Sequence, residues 1–186
     1  MRKSLVFALL LLLSACATWE KVEGDKAAII IKDKYSLTAP EGWVRASYMA
    51  GDVFLSRDGP LLNTITANEV VHDKALPNTK RKTSADMLPQ DFAELLIAEL
   101  RSGSATSNLE VVSNKPALID NQTAIRLDVR WKNDRGLPIE RLIYATLTPK
   151  GRLLLIYEAP GLVYFPKGLA DFESMIKSIR LLGGSS

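Results

Sequence analysis

From Ala124 to Lys132 apolar and polar residues alternate without a break. Ile125, Leu127, Val129 and Trp131 fall on one face of an extended chain, and Arg126, Asp128, Arg130 and Lys132 fall on the other. Side chains of a strand point alternately to its two faces, so this stretch buries its apolar set only as a strand with one covered and one wet face. A helix would scatter the same residues around its circumference. The chain must therefore contain an antiparallel sheet, and the remaining residues have to supply its neighbours and its cover.

The neighbours are readable on both sides. Asn133-Asp134-Arg135-Gly136 predicts a turn, Ile139 to Thr148 a returning strand, and Pro149-Lys150-Gly151 a second turn. Arg152 to Glu158 follows, with Leu153, Leu154, Leu155 and Ile156 in a row, which suits a strand covered on both faces. Upstream, Ala27–Lys32, Tyr35–Thr38, Trp43–Tyr48, Val53–Ser56 and Asn63–Val71 read as strands. They are parted by Pro40-Glu41-Gly42, Gly51-Asp52 and Arg57-Asp58-Gly59-Pro60, where proline presets φ and glycine accepts positive φ. Trp43, with Val44 or Tyr48, anchors the third of them. Leu109 to Ser113 is a further strand, followed by a short connection framed by Pro116 and Asp120-Asn121.

Two segments switch to a helical period. The first begins at Ser84 or Pro89, carries Phe92, Leu95, Leu96 and Leu100 at helical spacing, and ends at Ser102-Gly103-Ser104. The second runs near Leu169 to Leu181, with Phe172, Met175, Ile176 and Ile179 on one face. Its acidic residues Asp171 and Glu173 lie near the start and Lys177 and Arg180 near the end, as the helix dipole favours. Residues 72–85 read as a linker and Pro160–Gly168 as a loop. Strands, helix, strands, helix is the order of an α+β protein, a central antiparallel sheet flanked by helices.

The first residues follow another logic. Arg2 and Lys3 precede an apolar run from Leu5 to Leu13, and Leu13-Ser14-Ala15-Cys16 closes it with small residues before the chain's only cysteine. The run falls short of the roughly 20 residues that span a bilayer, and the charge pattern is that of an export signal. This stretch resembles the bacterial lipoprotein signal, in which the cysteine becomes the lipidated first residue of the mature chain. The resemblance implies acylation of Cys16 and a membrane anchor. Ala17, where aspartate would signal inner-membrane retention, implies the outer membrane, facing the periplasm. Residues 1–15 are then the signal peptide, 16–26 a lipidated polar tether with Trp19 either packed on the domain edge or near the headgroups, 27–182 the globular domain and 183–186 a tail.

Cleavage leaves 171 residues, enough for one domain with a real core. It removes two basic residues, so 22 face 21 acidic ones. The mature protein is nearly neutral, and the full-chain pI near 9.0 does not argue for nucleic acid. No disulfide can form within the domain, so packing must stabilise it.

Tyr35-Ser36-Leu37-Thr38-Ala39-Pro40-Glu41-Gly42-Trp43 resembles the strand, Pro-x-Gly-Trp turn and strand that open PsbP-like domains. Phe172-Glu173-Ser174-Met175-Ile176-Lys177-Ser178-Ile179-Arg180 resembles their last helix, and the order of elements between agrees. The resemblance spans roughly residues 27–182. It implies a PsbP-like α/β/α sandwich, a fold shared by a photosystem subunit and a Ran-binding import factor, and proteins that bind other proteins or assist assemblies. It implies no activity.

The residues themselves assemble no catalytic constellation. His72 is the only histidine and, beside Asp73, reads as a solvated loop pair; a metal site would need several ligands. Ser102-Gly103-Ser104 lacks the context of a hydrolase nucleophile, and Gly183-Gly184 follows a helix rather than opening one. Neither an enzyme nor a cofactor is expected. Two surface candidates remain. Lys80-Arg81-Lys82, with Lys74 nearby, is either a solvated loop or a contact for anionic headgroups or an acidic partner. Tyr164 and Phe165, in the loop with Pro160 and Pro166, form either a binding patch or a lid folded onto the core. The expected function is a non-catalytic envelope lipoprotein that binds a protein partner or supports an assembly; the alternative is a carrier of a small apolar ligand or lipid, held between sheet and helix.

Overall fold

The computed structural model describes residues 19–47, 49, 51–104, 106 and 108–182. The expected signal peptide, Cys16 and the tail 183–186 lie outside the described residues. The chain runs β1 (Trp19–Lys21), a 3-10 turn (Gly24–Ala27), β2 (Ala28–Ile31), β3 (Tyr35–Thr38), β4 (Val44–Ala46), β5 (Val53–Ser56) and β6 (Thr64–Val71). It continues through α1 (Pro89–Arg101), β7 (Glu110–Ile119), β8 (Gln122–Lys132), β9 (Pro138–Leu147), β10 (Gly151–Pro160), α2 (Tyr164–Ser178) and β11 (Arg180–Leu181).

Eight strands form one antiparallel sheet in the order β1-β4-β5-β6-β10-β9-β8-β7, and β11-β3-β2 form a small second sheet. α1 carries the chain from the sheet's middle to its far edge, and the β7–β10 meander then returns to β6. The alternation that opens the sequence reading sits in β8. Its face of Ile125, Leu127, Val129 and Trp131 packs under α1 against Phe92, Ala93 and Leu96. The opposite sheet face, with Leu153, Leu155 and Tyr157 of β10, packs under α2 and the small sheet, against Phe165, Phe172, Met175, Tyr35 and Leu37. β10 is thus covered on both sides, as its apolar run requires.

Several turns follow from local chemistry. Asp120 and Asn121 both have positive φ, 49° and 64°, in the two-residue hairpin joining Ile119 to Gln122. Asp and Asn tolerate that conformation, and the resulting turn matches the strand twist. Gly42, at φ 78°, takes the third position of the Pro40–Trp43 turn, where the Trp43 amide donates to the Pro40 carbonyl. Trp43 is buried, and its indole Nε1 donates to Asp171 of α2 at 3.1 Å.

The structure departs from the sequence reading at four places. Trp19–Lys21, expected within a polar tether, form β1 on the edge of the large sheet, with Trp19 paired to Ala46. All three residues are exposed, so no alternation announces the strand. β7 continues through Pro116 to Ile119 rather than stopping at Ser113. β7 is an edge strand, where the missing proline N–H costs little. α2 starts at Tyr164, five residues before the expected Leu169, because Pro166 falls in the first turn, where the amide has no helical partner to lose. At its other end Ile179 leaves the helix with φ −65° and ψ 138°, and Arg180–Leu181 pair with β3 instead of extending α2.

Two glycines set close approaches. A Cβ on Gly168 of α2 would lie 2.5 Å from the Tyr157 hydroxyl, and one on Gly151 would lie 2.2 Å from the Val70 carbonyl. The first obstacle is a side-chain tip and the second is sheet backbone. Gly168→Ala should therefore lower the unfolding free energy by roughly 1–3 kcal/mol, and Gly151→Ala by more, as read from urea denaturation midpoints. Equal stability of Gly168→Ala and the parent would show that α2 can ride higher on the sheet without loss.

Candidate functional site

The basic stretch lies on a folded loop rather than a free linker. Leu76 is buried, its amide donates to the Arg81 carbonyl at 2.8 Å, and the Lys80 amide donates back to Leu76 at 3.1 Å. Lys80 takes φ 59° to close the ring. The buried carboxylate of Glu99, on the last turns of α1, accepts the Asn78 amide, the Thr79 amide and the Thr79 hydroxyl, each at 2.8 Å. Burial alone would raise its pKa, but the Thr79 and Asn78 hydrogen bonds outweigh it and hold the carboxyl below its ordinary range.

The stem of the loop is tied by a second polar group. His72 was expected as a solvated partner of Asp73; instead its ring bridges the Thr83 hydroxyl, 2.9 Å from Nδ1, and the Thr148 carbonyl, 3.0 Å from Nε2. A carbonyl only accepts, so Nε2 carries a proton. Asp73 pairs with Lys82 at 3.2 Å in full exposure. Thr83 also meets the guanidinium of Arg152, whose Nη1 lies 3.4 Å from both the Thr83 hydroxyl and the Val71 carbonyl. Arg152 is 3% exposed, its Nε has no hydrogen-bond partner among the described residues, and burial lowers its pKa. The outcome is a stiff platform that presents Lys80, Arg81 and Lys82 to solvent.

The aromatic candidates divide. Phe165 is 6% exposed and stacks on Tyr157 with ring centres 5.1 Å apart, the arrangement of a lid on the core. Tyr164 is half-buried, with the Lys167 ammonium 6.0 Å from its ring centre. These residues follow the end of β10, while the basic loop meets its start. The strand's length, roughly 30 Å at 3.3 Å per residue, separates the two groups, so they cannot form one site.

One surface went unread in the sequence. At the end of the central strands β6, β10 and β9, three loops carry Leu61, Leu162, Val163 and Leu137, all exposed, Leu61 to 91% and Leu162 to 83%. The Gly161 amide donates to the Pro138 carbonyl at 3.0 Å, which draws two of these loops together. Lys167 and Arg57 ring the patch through ion pairs with Asp58 and Asp171. The signal was present as aliphatics on turn tips, Leu61 after Gly59-Pro60 and Leu162 after Pro160-Gly161.

A third polar cluster serves packing. Tyr144 donates to Glu173 of α2 at 2.6 Å, and Arg126 pairs with the same carboxylate at 3.3 Å. Burial, reinforced by that carboxylate, pushes the Tyr144 phenol up to about 12. These contacts pin α2 to β8 and β9. The space beneath α2 that a carrier would need is filled by Tyr157, Phe165, Phe172 and Trp43. Beneath the start of α1 a partly open cleft of about 190 Å³ lies between Met87, Pro89 and Phe92 and the sheet residues Ala124, Ile125, Ala145 and Leu147, and a groove of about 430 Å³ lies beside Glu110, Arg130 and Trp131. Among the described residues no group of three or more His, Cys, Asp or Glu is placed to hold a metal, and no helix is long and apolar enough to cross a membrane.

An eight-stranded antiparallel sheet with a helix on each face defines an α+β protein. The PsbP/Mog1-like fold is the particular version. The chain is similar to the solution structure of cyanobacterial PsbP from Synechocystis (TM-score 0.50, 15% identity, 90% of this chain and 95% of that one). It is similar to the Ran-binding protein Mog1p of Saccharomyces cerevisiae (TM-score 0.51, 11% identity, 83% and 94%). It is also similar to LpqN, involved in cell envelope biogenesis of Mycobacterium tuberculosis (TM-score 0.53, 13% identity, 79% and 82%). The chain spans 48% of a further similar structure, from Bacteroides thetaiotaomicron (TM-score 0.54, 10% identity, 83% of this chain covered). No family model and no curated protein matches the sequence.

Glu99 gives the platform a pH signature. A carboxyl with a depressed folded pKa stabilises the fold above its unfolded value, near 4.5, and loses that contribution as pH falls through the lower folded value. Glu99→Gln should cost roughly 1.5–3 kcal/mol at pH 7 and speed hydrogen exchange at Asn78 and Thr79. The stability gap between variant and parent should narrow below about pH 4. A gap unchanged from pH 7 to pH 3 would show that the carboxylate charge plays no part.

Proposed function

We propose that this chain is an acylated lipoprotein of the bacterial envelope whose domain binds a protein partner or supports an assembly without catalysing a reaction. The lipid sits on Cys16, and the protein faces the periplasm from the outer membrane. The observation that carries the reading is the combination of a filled aromatic core with exposed aliphatic loop tips. The packed interior beneath α2 leaves the surface as the place of work, and Leu61, Leu137, Leu162 and Val163 stand exposed on loop tips at one end of the sheet. Tyr164 borders that cluster, and Phe165 supports it from within. The Ran-binding name of Mog1p and the envelope-biogenesis role stated for LpqN agree in kind, although likeness at this identity carries the fold alone.

Two measurements test the reading. Mass spectrometry of the N-terminal peptide from membrane-purified protein should show diacylglycerol and acyl groups on Cys16, and Cys16→Ser should leave the protein unacylated. A parent protein free of lipid refutes the anchor. A photo-crosslinking residue at Leu162 should capture a defined protein partner in intact cells, with far less capture from the same residue at Val112 on the β7 edge. Equal recovery from both positions, or none across several growth conditions, refutes the docking role.

A further inference from the structure

The strand registers fix which end of the sheet lies nearest the anchor. Trp19 pairs with Ala46, Arg45 with Leu55, and Leu55 with Ile65. Followed backwards from Lys21 to Trp19, β1 therefore runs the same way as β6 does from Thr64 to Val71. Val71 pairs with Gly151 at the opening of β10. The chain thus enters β1 from the end of the sheet that carries the β4–β5 turn, the 72–85 loop and the β9–β10 turn. Trp19 follows Cys16 by three positions, a reach of at most roughly 11 Å. Across the sheet β1 and β6 stand three strand spacings apart, about 14 Å. A lipid on Cys16 brings this whole end to the bilayer surface and leaves Leu61, Leu137 and Leu162 at the opposite end.

We infer that this end seats on an anionic bilayer, with the basic loop as a second, electrostatic contact beside the lipid. The inference rests on the acylation proposed above. Lys32, Lys74, Lys80, Arg81, Lys82 and Lys150 are all exposed on the loops of this end. The carboxylates are partly turned inward. Asp52 holds Lys34 at 2.8 Å and accepts the Glu69 amide, Asp120 accepts the Leu181 amide, and Glu69 accepts the Thr148 hydroxyl. Asp33, Asp73, Asp86, Asp91 and Glu94 remain exposed; Asp73 is paired with Lys82, and Asp86, Asp91 and Glu94 line one groove with Arg81. Lys32, Lys74, Lys80 and Lys150 lie outside that groove and carry the outward positive charge. Each basic residue near an anionic leaflet adds attraction that decays within a Debye length, so residues brought close by a short tether count most. Trp19 and Met49, each 37% exposed, flank the entry of the chain on this side. Tryptophan at headgroup depth is a favoured placement. One lipid signal with a basic patch is a stronger anchor than either alone.

The test uses the full-length protein extracted from bacterial membranes and reconstituted into vesicles. Mass spectrometry first reports acylation of Cys16, so failure of the lipoprotein reading is seen separately. With Cys16 blocked by its lipid, Met49→Cys and Leu162→Cys each offer one thiol for a fluorophore, and quenching by headgroup-labelled lipid reports closeness to the bilayer. Quenching at position 49 should exceed that at position 162 several-fold, and should rise when phosphatidylglycerol replaces part of the phosphatidylcholine. Lys80→Glu/Arg81→Glu/Lys82→Glu should remove that rise. Acylated protein with equal quenching at the two positions, or more at 162, overturns the orientation. A quenching level indifferent to phosphatidylglycerol overturns the electrostatic contact.

Discussion

The joint between Tyr157 and the start of α2 carries the architecture. The Tyr157 hydroxyl donates to the Tyr164 carbonyl at 2.6 Å, and burial pushes its pKa up to about 12. The ring is stacked on Phe165, lies 5.8 Å from Phe172 and is met edge-on by Trp43. One residue of the central strand thus positions the helix, the aromatic interior and the turn before β4. Gly168 permits the contact by offering no Cβ. Two neighbours set the rest: Trp43 reaches Asp171, and Asp171 holds Arg57 of the β5–β6 loop at 2.6 Å. A deeply buried hydroxyl with a backbone partner specifies one helix position where greasy packing alone would tolerate several.

The small sheet is held by a different device. Asp52, in the β4–β5 turn, accepts the Lys34 ammonium, the Tyr35 hydroxyl at 3.5 Å and the Glu69 amide at 2.9 Å. One carboxylate therefore joins the β2–β3 hairpin to β6. Burial and the neighbouring Asp52 charge raise the Tyr35 pKa well above the ordinary phenol, so it too stays a donor. The protein uses aromatic hydroxyls where side chains must be located inside the core, and ion pairs where loops must be located at its rim.

The sheet was legible because burial and periodicity agree there. β8 to β10 have one face under α1 and the other under α2, and their patterns alternate or run continuously apolar as that cover demands. The helical faces of Phe92, Leu95 and Leu96 and of Phe172, Met175 and Ile176 were equally plain. The strands that escaped were those without a pattern: β1 has three exposed residues, and β11 has two that resemble the end of a helix. Pro166 misled because a proline in the first turn of a helix reads locally like a loop proline, and Gly168 because its meaning depends on Tyr157, which lies in another element. The candidate surfaces were only half readable. Charge clustering exposed Lys80–Lys82, but nothing local tells that Glu99, nineteen residues beyond Lys80, freezes their loop. Phe165 stayed undecided between patch and lid because a stacking partner eight residues away on a strand is invisible to linear spacing.

The two rims of the large sheet differ in how they end. Among the described residues β1 offers three residues of backbone, and β7 carries a register shift between Val111 and Ser113 together with Pro116 and Lys115. Bulges, prolines and lysines on an outer strand prevent another chain from adding to it. Under the proposed lipid anchor, copies confined to a surface would meet one another far more often than molecules free in solution. A smooth outermost strand would then nucleate end-on stacking into ribbons, and this sheet denies that template on both sides.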